Sequence, residues 1–409
     1  MTQRPSSGRG RRATNILLTC SDDVGHGGVQ VVFRDLVRSL EGAGRRVHLL
    51  YAGPMARPWL SQTENSWGRR AFYCPLPTIV RGSVLLSLPL AVVFFPLALF
   101  HLVRLLRRHK VDVVNAHYLA EYFLHLVIAA RLLRVPIVVS VHGADVDRYA
   151  RVRPAQRLLL RLIVRGADRI VACSAAMAEQ TARVFPRARA KITHVHNGLV
   201  LEDLAAPTTP AVTPATPFVL SVCRQVAKKG TDTLLRAFEQ VHRQMPHVGL
   251  VVIGDGPELD KHRSLAASLG IERAVSFLGD RSRDEILPFF SACSLFVLPS
   301  RAEPFGLVLL EAAYYQRPIV CTAVGGVPEI ITDGVNGFVV PPDDPETMAT
   351  KIATLLRDPG LGARFGVHAY ETLMTRFRWE HRVQDYLAVY EADEKRVAVS
   401  QGHAKATVG

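Results

Sequence analysis

Six short apolar runs on each side of one charge-free stretch constrain the fold of this 409-residue chain more than any other feature. The first set, NILLTC, VHLLYA, VDVVNAH, PIVVSVH, RIVACS and KITHVHN, is spaced by segments of helix length between residues 15 and 205. The second set, FVLSVC, VGLVVIG, AVSFLG, LFVLPS, PIVCTA and GFVVPP, follows AAPTTPAVTPATP at 205–217. Strands that alternate with helices are joined by crossovers, so they pair in parallel and are covered on both faces. The spacing predicts an α/β protein of two doubly wound, Rossmann-like domains, 15–205 and 218–378, joined by a Pro/Thr linker at 206–217. A basic flexible tail is expected at 1–14, a helix at 379–394 and a frayed tail at 395–409.

Composition narrows the function classes. Hydrophobic residues make up 48% and charged residues 21%, which excludes a disordered chain and provides for two cores. The six cysteines are scattered without metal-ligand spacing and mostly lie in apolar runs, so the expectation is buried thiols in a reducing, cytoplasmic compartment. The N-terminal arginines have no apolar h-region after them, so no signal peptide is expected. Residues 1–210 carry 29 Lys and Arg against 13 Asp and Glu; residues 211–409 carry 21 against 23, together giving the net +14. A cationic first half suits an anionic partner, such as a membrane surface or a phosphorylated acceptor. No basic–aromatic interleaving supports nucleic acid.

Residues 82–103 hold no charged side chain and are followed by Arg104, Arg107, Arg108 and Lys110. Pro89 and Pro96 predict a break into two short pieces. A single crossing would also put strands of one sheet on opposite sides of a bilayer. The reading is a peripheral membrane surface, a greasy acceptor groove beside a basic rim, or a buried helix pair, rather than a span.

The chemistry concentrates in EPFGLVLLE at 303–311, just after the strand LFVLPS. Free amide N–H groups at a helix start suit an anionic diphosphate, and here two carboxylates bracket that start. Glu303 is expected in the loop and Glu311 about two turns inside the helix. Arg224 and Lys229 flank the loop after FVLSVC, where they can neutralise a leaving diphosphate. Gly254 lies in the turn GDGP; Gly325 and Gly326 suit either a close approach of the backbone to a ligand or turn geometry alone. In the first half, Gly25, Gly27 and Gly28 stand between a strand and a helix beginning near Val29, without a full dinucleotide fingerprint. His142 ends a strand, with Asp145 placed to orient it or to cap a helix. His117 and Glu121 at the preceding strand edge are acceptor-side candidates.

EPFGLVLLE resembles the signature of glycosyltransferase family 4, two acids separated by seven residues. RQVAKKG at 224–230, GDGP at 254–257, FLG at 277–279 and VGGVPEII at 324–331 match the family in order and spacing. GHGGVQ at 25–30 and HGAD at 142–145 match more loosely. Two positions depart from the pattern: Asn197–Gly198–Leu199–Val200 lacks the usual acid, and Gln316 stands where a helix-ending glycine is common. The resemblance implies a GT-B fold with two domains facing across a cleft and the last helix packing back across them. It implies a retaining, metal-independent transferase without a cofactor, moving a hexose from a nucleotide-diphosphate sugar; the apolar stretch before Arg104 points to a lipid-linked glycan, or a cell-surface polysaccharide precursor, as the acceptor. His142, Glu303, Arg224 and Lys229 would be catalytic. Gly27, Gly28, Asp145, Asn197, Gly254, Phe305, Gly306, Leu307, Val308 and Glu311 would bind substrate. The enzyme would be cytoplasmic or peripheral on the cytoplasmic face of the membrane. An epimerase on the same fold and a non-catalytic nucleotide-sugar-binding protein are the alternatives.

Overall fold

The computed structural model describes residues 14–20, 28–51, 60–74, 76, 84–204 and 217–406, without the side chains of 84–93 and 393–406. The chain forms two compact units. One comprises the chain up to Cys173, Ala178–Val195 and the chain from Arg382; the other comprises Ser174–Met177 and His196–His381. The expected linker at 206–217 falls outside the described residues except for Pro217, and the expected basic tail does so except for Thr14.

The first unit is built on eight strands: β1 (Asn15–Cys20), β2 (Arg46–Tyr51), β3 (Ser61–Glu64), β4 (Arg70–Tyr73), β5 (Val113–His117), β6 (Ile137–Val141), β7 (Arg169–Ala172) and β8 (Ile192–His194). Their order is β3-β4-β2-β1-β5-β6-β7-β8, parallel except for β3 against β4. The order reverses between β1 and β5, which makes a switch point at their carboxyl ends. β5 and β6 are buried along their whole length, as two-sided strands require. The helix α1 (Gly28–Gly42) buries Val32, Phe33, Leu36, Val37 and Leu40, one face at helical spacing.

The next helix departs from expectation. α2 (Val84–Arg108) is one continuous helix through Pro89 and Pro96, not two pieces. Each internal proline costs about 3 kcal/mol. Packing against α3 (Leu124–Leu133) and burial of Ala98, Leu102, Leu105 and Leu106 offset that cost. Among the described residues, no helix is long and apolar enough to cross a membrane.

The second unit has six parallel strands: β9 (Phe218–Val222), β10 (Gly249–Ile253), β11 (Val275–Phe277), β12 (Leu295–Leu298), β13 (Ile319–Thr322) and β14 (Phe338–Val340). The order β11-β10-β9-β12-β13-β14 puts its switch point between β9 and β12. The helix that opens at Trp379 runs to Ala406, past Glu394 where the sequence reading ends it. Val383, Tyr386, Leu387 and Tyr390 form its buried stripe in the first unit, and Asn115 donates to the Tyr390 hydroxyl at 2.7 Å. Three alanines and two lysines, both good helix formers, lie in the extension 395–406.

Candidate active site

Ligands of open parallel sheets bind at the carboxyl ends of the strands beside the switch point. In the second unit those ends are the loops after β9 and β12, which are sewn together. Arg301 lies after β12; its Nη1 and Nη2 donate to the two Asp232 oxygens at 2.8 and 2.7 Å, and its Nε donates to Asp343 at 2.6 Å. Its backbone N–H reaches the Lys228 carbonyl at 2.8 Å. Gly230 sits at φ 66°, and a Cβ there would stand 2.1 Å from the Pro299 carbonyl oxygen, so only glycine lets the two loops meet.

This clamp sets Lys229 beside Glu303, with Nζ donating to Oε2 at 2.5 Å. Ser300 donates to the same oxygen at 3.3 Å. Burial works to lower the Lys229 pKa, but the Glu303 carboxylate overrides it and holds the ammonium above the ordinary lysine range. The next glycines serve the backbone: a Cβ on Gly325 would meet the Glu303 carbonyl oxygen at 1.9 Å, and one on Gly326 the Pro304 oxygen at 2.6 Å. The close approach that this pair makes is to the protein's own Glu303 loop, with Gly325 at φ 51°.

Glu303 precedes the helix Leu307–Tyr314, which Gly306 opens at φ 102°. The N–H groups of Phe305, Gly306, Leu307 and Val308 come before the first turn closes, from Leu309 N–H to the Gly306 carbonyl at 2.9 Å. Glu311 lies about one turn inside this helix, not two, because the helix begins at Leu307. Arg283 Nε donates to Glu311 at 3.1 Å, with Asp203 3.7 Å from the same guanidinium. Burial raises the Glu311 pKa against the pull of Arg283.

Other expected residues take varied places. Arg224 is exposed, with no side-chain partner among the described residues. Gly254, at φ 126°, leaves no room for a Cβ, which would stand 2.1 Å from the Cys223 oxygen. Asn197 is buried, and its Oδ1 has no hydrogen-bond partner among the described residues. Gly28 opens α1, while Gly25 and Gly27 lie outside the described residues.

In the first unit, His117 and His142 end adjacent strands, Nδ1 of the first 3.2 Å from Nε2 of the second. Asp145 is fully buried; its carboxylate accepts the backbone N–H groups of Leu119, His142, Gly143 and Val146 at 2.8–3.1 Å. It therefore shapes the loop rather than engaging the imidazole. Glu121 is paired with Arg148 and accepts from Gln156 at 3.1 Å.

Three residues escaped the sequence reading: Arg301, Arg283 and Glu329. Their partners are distant along the chain, so no local pattern reveals them; only the motif around VGGVPEII hinted at Glu329. That carboxylate accepts from His196 at 2.7 Å and from the amides of Ala175 and Ala176 at 3.0 and 2.9 Å. A groove of about 760 Å³ lies at the opposite, amino end of the second sheet. Its Arg317 is engaged by the carbonyls of Tyr315 and Cys293, which leaves no converging charge there for a diphosphate. Among the described residues, no group of three or more His, Cys, Asp or Glu is placed to hold a metal ion.

Residues 210–372 match the family Glycosyl transferases group 1, and residues 26–203 match Glycosyltransferase Family 4. Glycogen synthase of Mycobacterium tuberculosis is 30% identical over 300 residues, 71% of this chain and 70% of that protein. The chain belongs to glycosyltransferase family 4.

Another relative of this glycosyltransferase is the GDP-mannose-dependent alpha-(1-6)-phosphatidylinositol monomannoside mannosyltransferase of Mycolicibacterium smegmatis. It is 29% identical, with 74% of this chain and 81% of that protein covered. The crystal structure of Anabaena HepE in complex with UDP superposes with a TM-score of 0.68 at 21% identity, covering 93% of this chain and 100% of that one. That likeness concerns the fold, two Rossmann-like units of the GT-B kind. Among the described residues, the motifs HGAD, RQVAKKG, GDGP and EPFGLVLLE follow the carboxyl ends of their strands.

Proposed function

We propose that this glycosyltransferase moves a hexose, with retention of configuration and without an essential metal, from a nucleotide-diphosphate sugar to a lipid-linked glycan or polysaccharide precursor. The observation that carries the reading is the Lys229–Glu303 pair at the β9/β12 switch point, directly before the open amides of the helix at Leu307. In this reading the donor diphosphate takes Lys229 away from Glu303, and Arg224 closes on it from solvent. The amides of Phe305 to Val308 meet the charge that grows on the departing phosphate. Glu303, released from the ammonium, accepts the donor-sugar hydroxyls and orients the ring. Glu311 accepts the ribose hydroxyls. The attacking hydroxyl enters on the face the diphosphate leaves, which requires no carboxylate nucleophile.

The lipid acceptor is supported by the relative named for a phosphatidylinositol mannoside and by the exposed face of α2. There Leu97 and Phe100 are followed, at helical spacing, by exposed Arg104 and Arg108. Such a face suits peripheral contact with an anionic membrane.

The test incubates purified protein with a panel of sugar nucleotides, with and without membrane lipid extract, and follows released nucleotide. Acceptor-dependent release that survives EDTA and is abolished in Glu303→Ala is the expected result. Acceptor-free conversion of the donor would replace transfer with epimerisation, and binding without turnover would leave a sensor.

A further inference from the structure

The two imidazoles at the carboxyl edge of the first sheet form a closed hydrogen-bond problem with few solutions. His117 is fully buried and His142 is 9% exposed, with the rings stacked at 23° and their centroids 5.3 Å apart. Nδ1 of His117 faces Nε2 of His142 at 3.2 Å, so one proton lies between the two nitrogens and the other nitrogen must accept it. Burial lowers the pKa of both rings. The neighbouring His142 adds to that effect on His117, while Asp145 pulls the other way on His142. Two neutral imidazoles remain, each with a single N–H.

The remaining nitrogens decide which way that proton points. Among the described residues, His117 Nε2 is buried with no hydrogen-bond partner, whereas His142 Nδ1 has no partner and is not buried. If His142 donated through Nε2, His117 would have to carry its own proton on Nε2, a donor sealed away from any acceptor. Buried orphan N–H groups are the rarer and costlier outcome. If His117 donates through Nδ1, its Nε2 is left as a bare lone pair and no N–H is stranded. His142 then carries its proton on the accessible Nδ1.

We propose that His117 is a positioning residue that locks His142 as a neutral Nδ1–H donor, aimed at a phosphate or hydroxyl oxygen of the substrate. Around this pair the scaffold is stiff. Asp145 fixes the backbone of both strand ends through Leu119 and His142, and Phe33 of α1 packs edge-on against His117 with centroids 5.2 Å apart. A donor held in one tautomer needs no rearrangement as charge develops on its acceptor. The effect on turnover rests on the transferase reading; the tautomer itself does not.

Long-range ¹⁵N–¹H spectra of the intact protein at pH 7 read the tautomers without any activity. The expected pattern is a protonated Nδ1 and bare Nε2 on both rings. A protonated Nε2 on His142, or a charged ring, overturns the proposal. In His117→Leu, His142 loses its fixed donor, so its spectrum should show mixed tautomers. Turnover in nucleotide release should then fall by roughly a hundredfold, with KM for the sugar nucleotide changed far less. His117→Asn keeps an amide N–H where Nδ1 stood and should restore both. A Leu variant that retains both the single tautomer and the rate sinks the idea. If Leu does not fold, the wild-type and Asn spectra still decide it.

Discussion

Lys229 and Glu303 hold each other in the structure, and the chemistry proposed for them requires that they part. Their side chains are 18% and 10% exposed, so removing one leaves the other charge unpaired in a largely dry place. Lys229→Met and Glu303→Gln should each cost about 3 kcal/mol of stability and roughly 10²–10³ in turnover. The double variant should lose less stability than the sum of the singles, because no charge is then stranded. Strict additivity in urea unfolding would show that the pair is not coupled. Because the Lys229 pKa is raised, its contribution is complete below the ordinary lysine value and is lost only as pH climbs through the raised one; neutral pH leaves it untouched. Glu329 behaves in the opposite sense. Burial pushes its pKa up, but His196 and the amides of Ala176 and Ala175 win and depress it to about 2. Its stabilisation is therefore present above the ordinary glutamate value and fades as pH falls toward 2. Glu329→Gln should flatten part of the loss in urea midpoint between pH 4.5 and 2.5, and an unchanged slope would refute the linkage. At this scale the sequence showed the acids and bases that follow strand ends. It did not show Arg301 or Glu329, whose partners are set only by folding.

Elements were the most legible level, because apolar runs of strand length with helix-length spacers leave a parallel sheet as the main solution. Sequence reading failed where one residue type was given a single meaning. Pro89 and Pro96 predict breaks, yet α2 is continuous and packs against α3. Gln316 stands where a glycine commonly ends the helix, here Leu307–Tyr314. The turn forms with Gln316 at φ 53°, the left-handed region that favours glycine. Gly366 accommodates it; a Cβ on Gly366 would stand 2.0 Å from the Gln316 carbonyl oxygen. The strain sits on a residue whose exposed side chain has no hydrogen-bond partner among the described residues. Gln316→Gly should therefore raise stability by roughly 0.5–1 kcal/mol, the left-handed penalty less the extra freedom of an unfolded glycine. Differential scanning calorimetry checks it, and a lower Tm would mean that the φ is not strained.

For the whole molecule, charge is the property that the fold does not explain. The excess of 29 basic over 13 acidic residues lies in the first 210 residues, while the rest of the chain is near balance. A core needs no such bias, so the excess argues for an anionic partner. For the peripheral membrane contact proposed above, the exposed face of α2 is the candidate surface: Phe100 is 59% exposed and Leu97 38%, with Arg104, Arg107 and Arg108 exposed in the following turns. Apolar side chains can enter the interface while the guanidiniums meet lipid phosphates, each worth about 1 kcal/mol near such a surface. The protein should float with vesicles containing phosphatidylglycerol and not with pure phosphatidylcholine, and roughly 0.5 M salt should weaken the association by screening. Phe100→Ser should weaken binding at every salt concentration, whereas replacing the three arginines with glutamate should abolish the preference for anionic lipid. Neither change touches the Lys229–Glu303 pair, so release of nucleotide to a water-soluble acceptor analogue should persist in both. If the triple variant still floats with anionic vesicles as the wild type does, the positive excess serves some other partner.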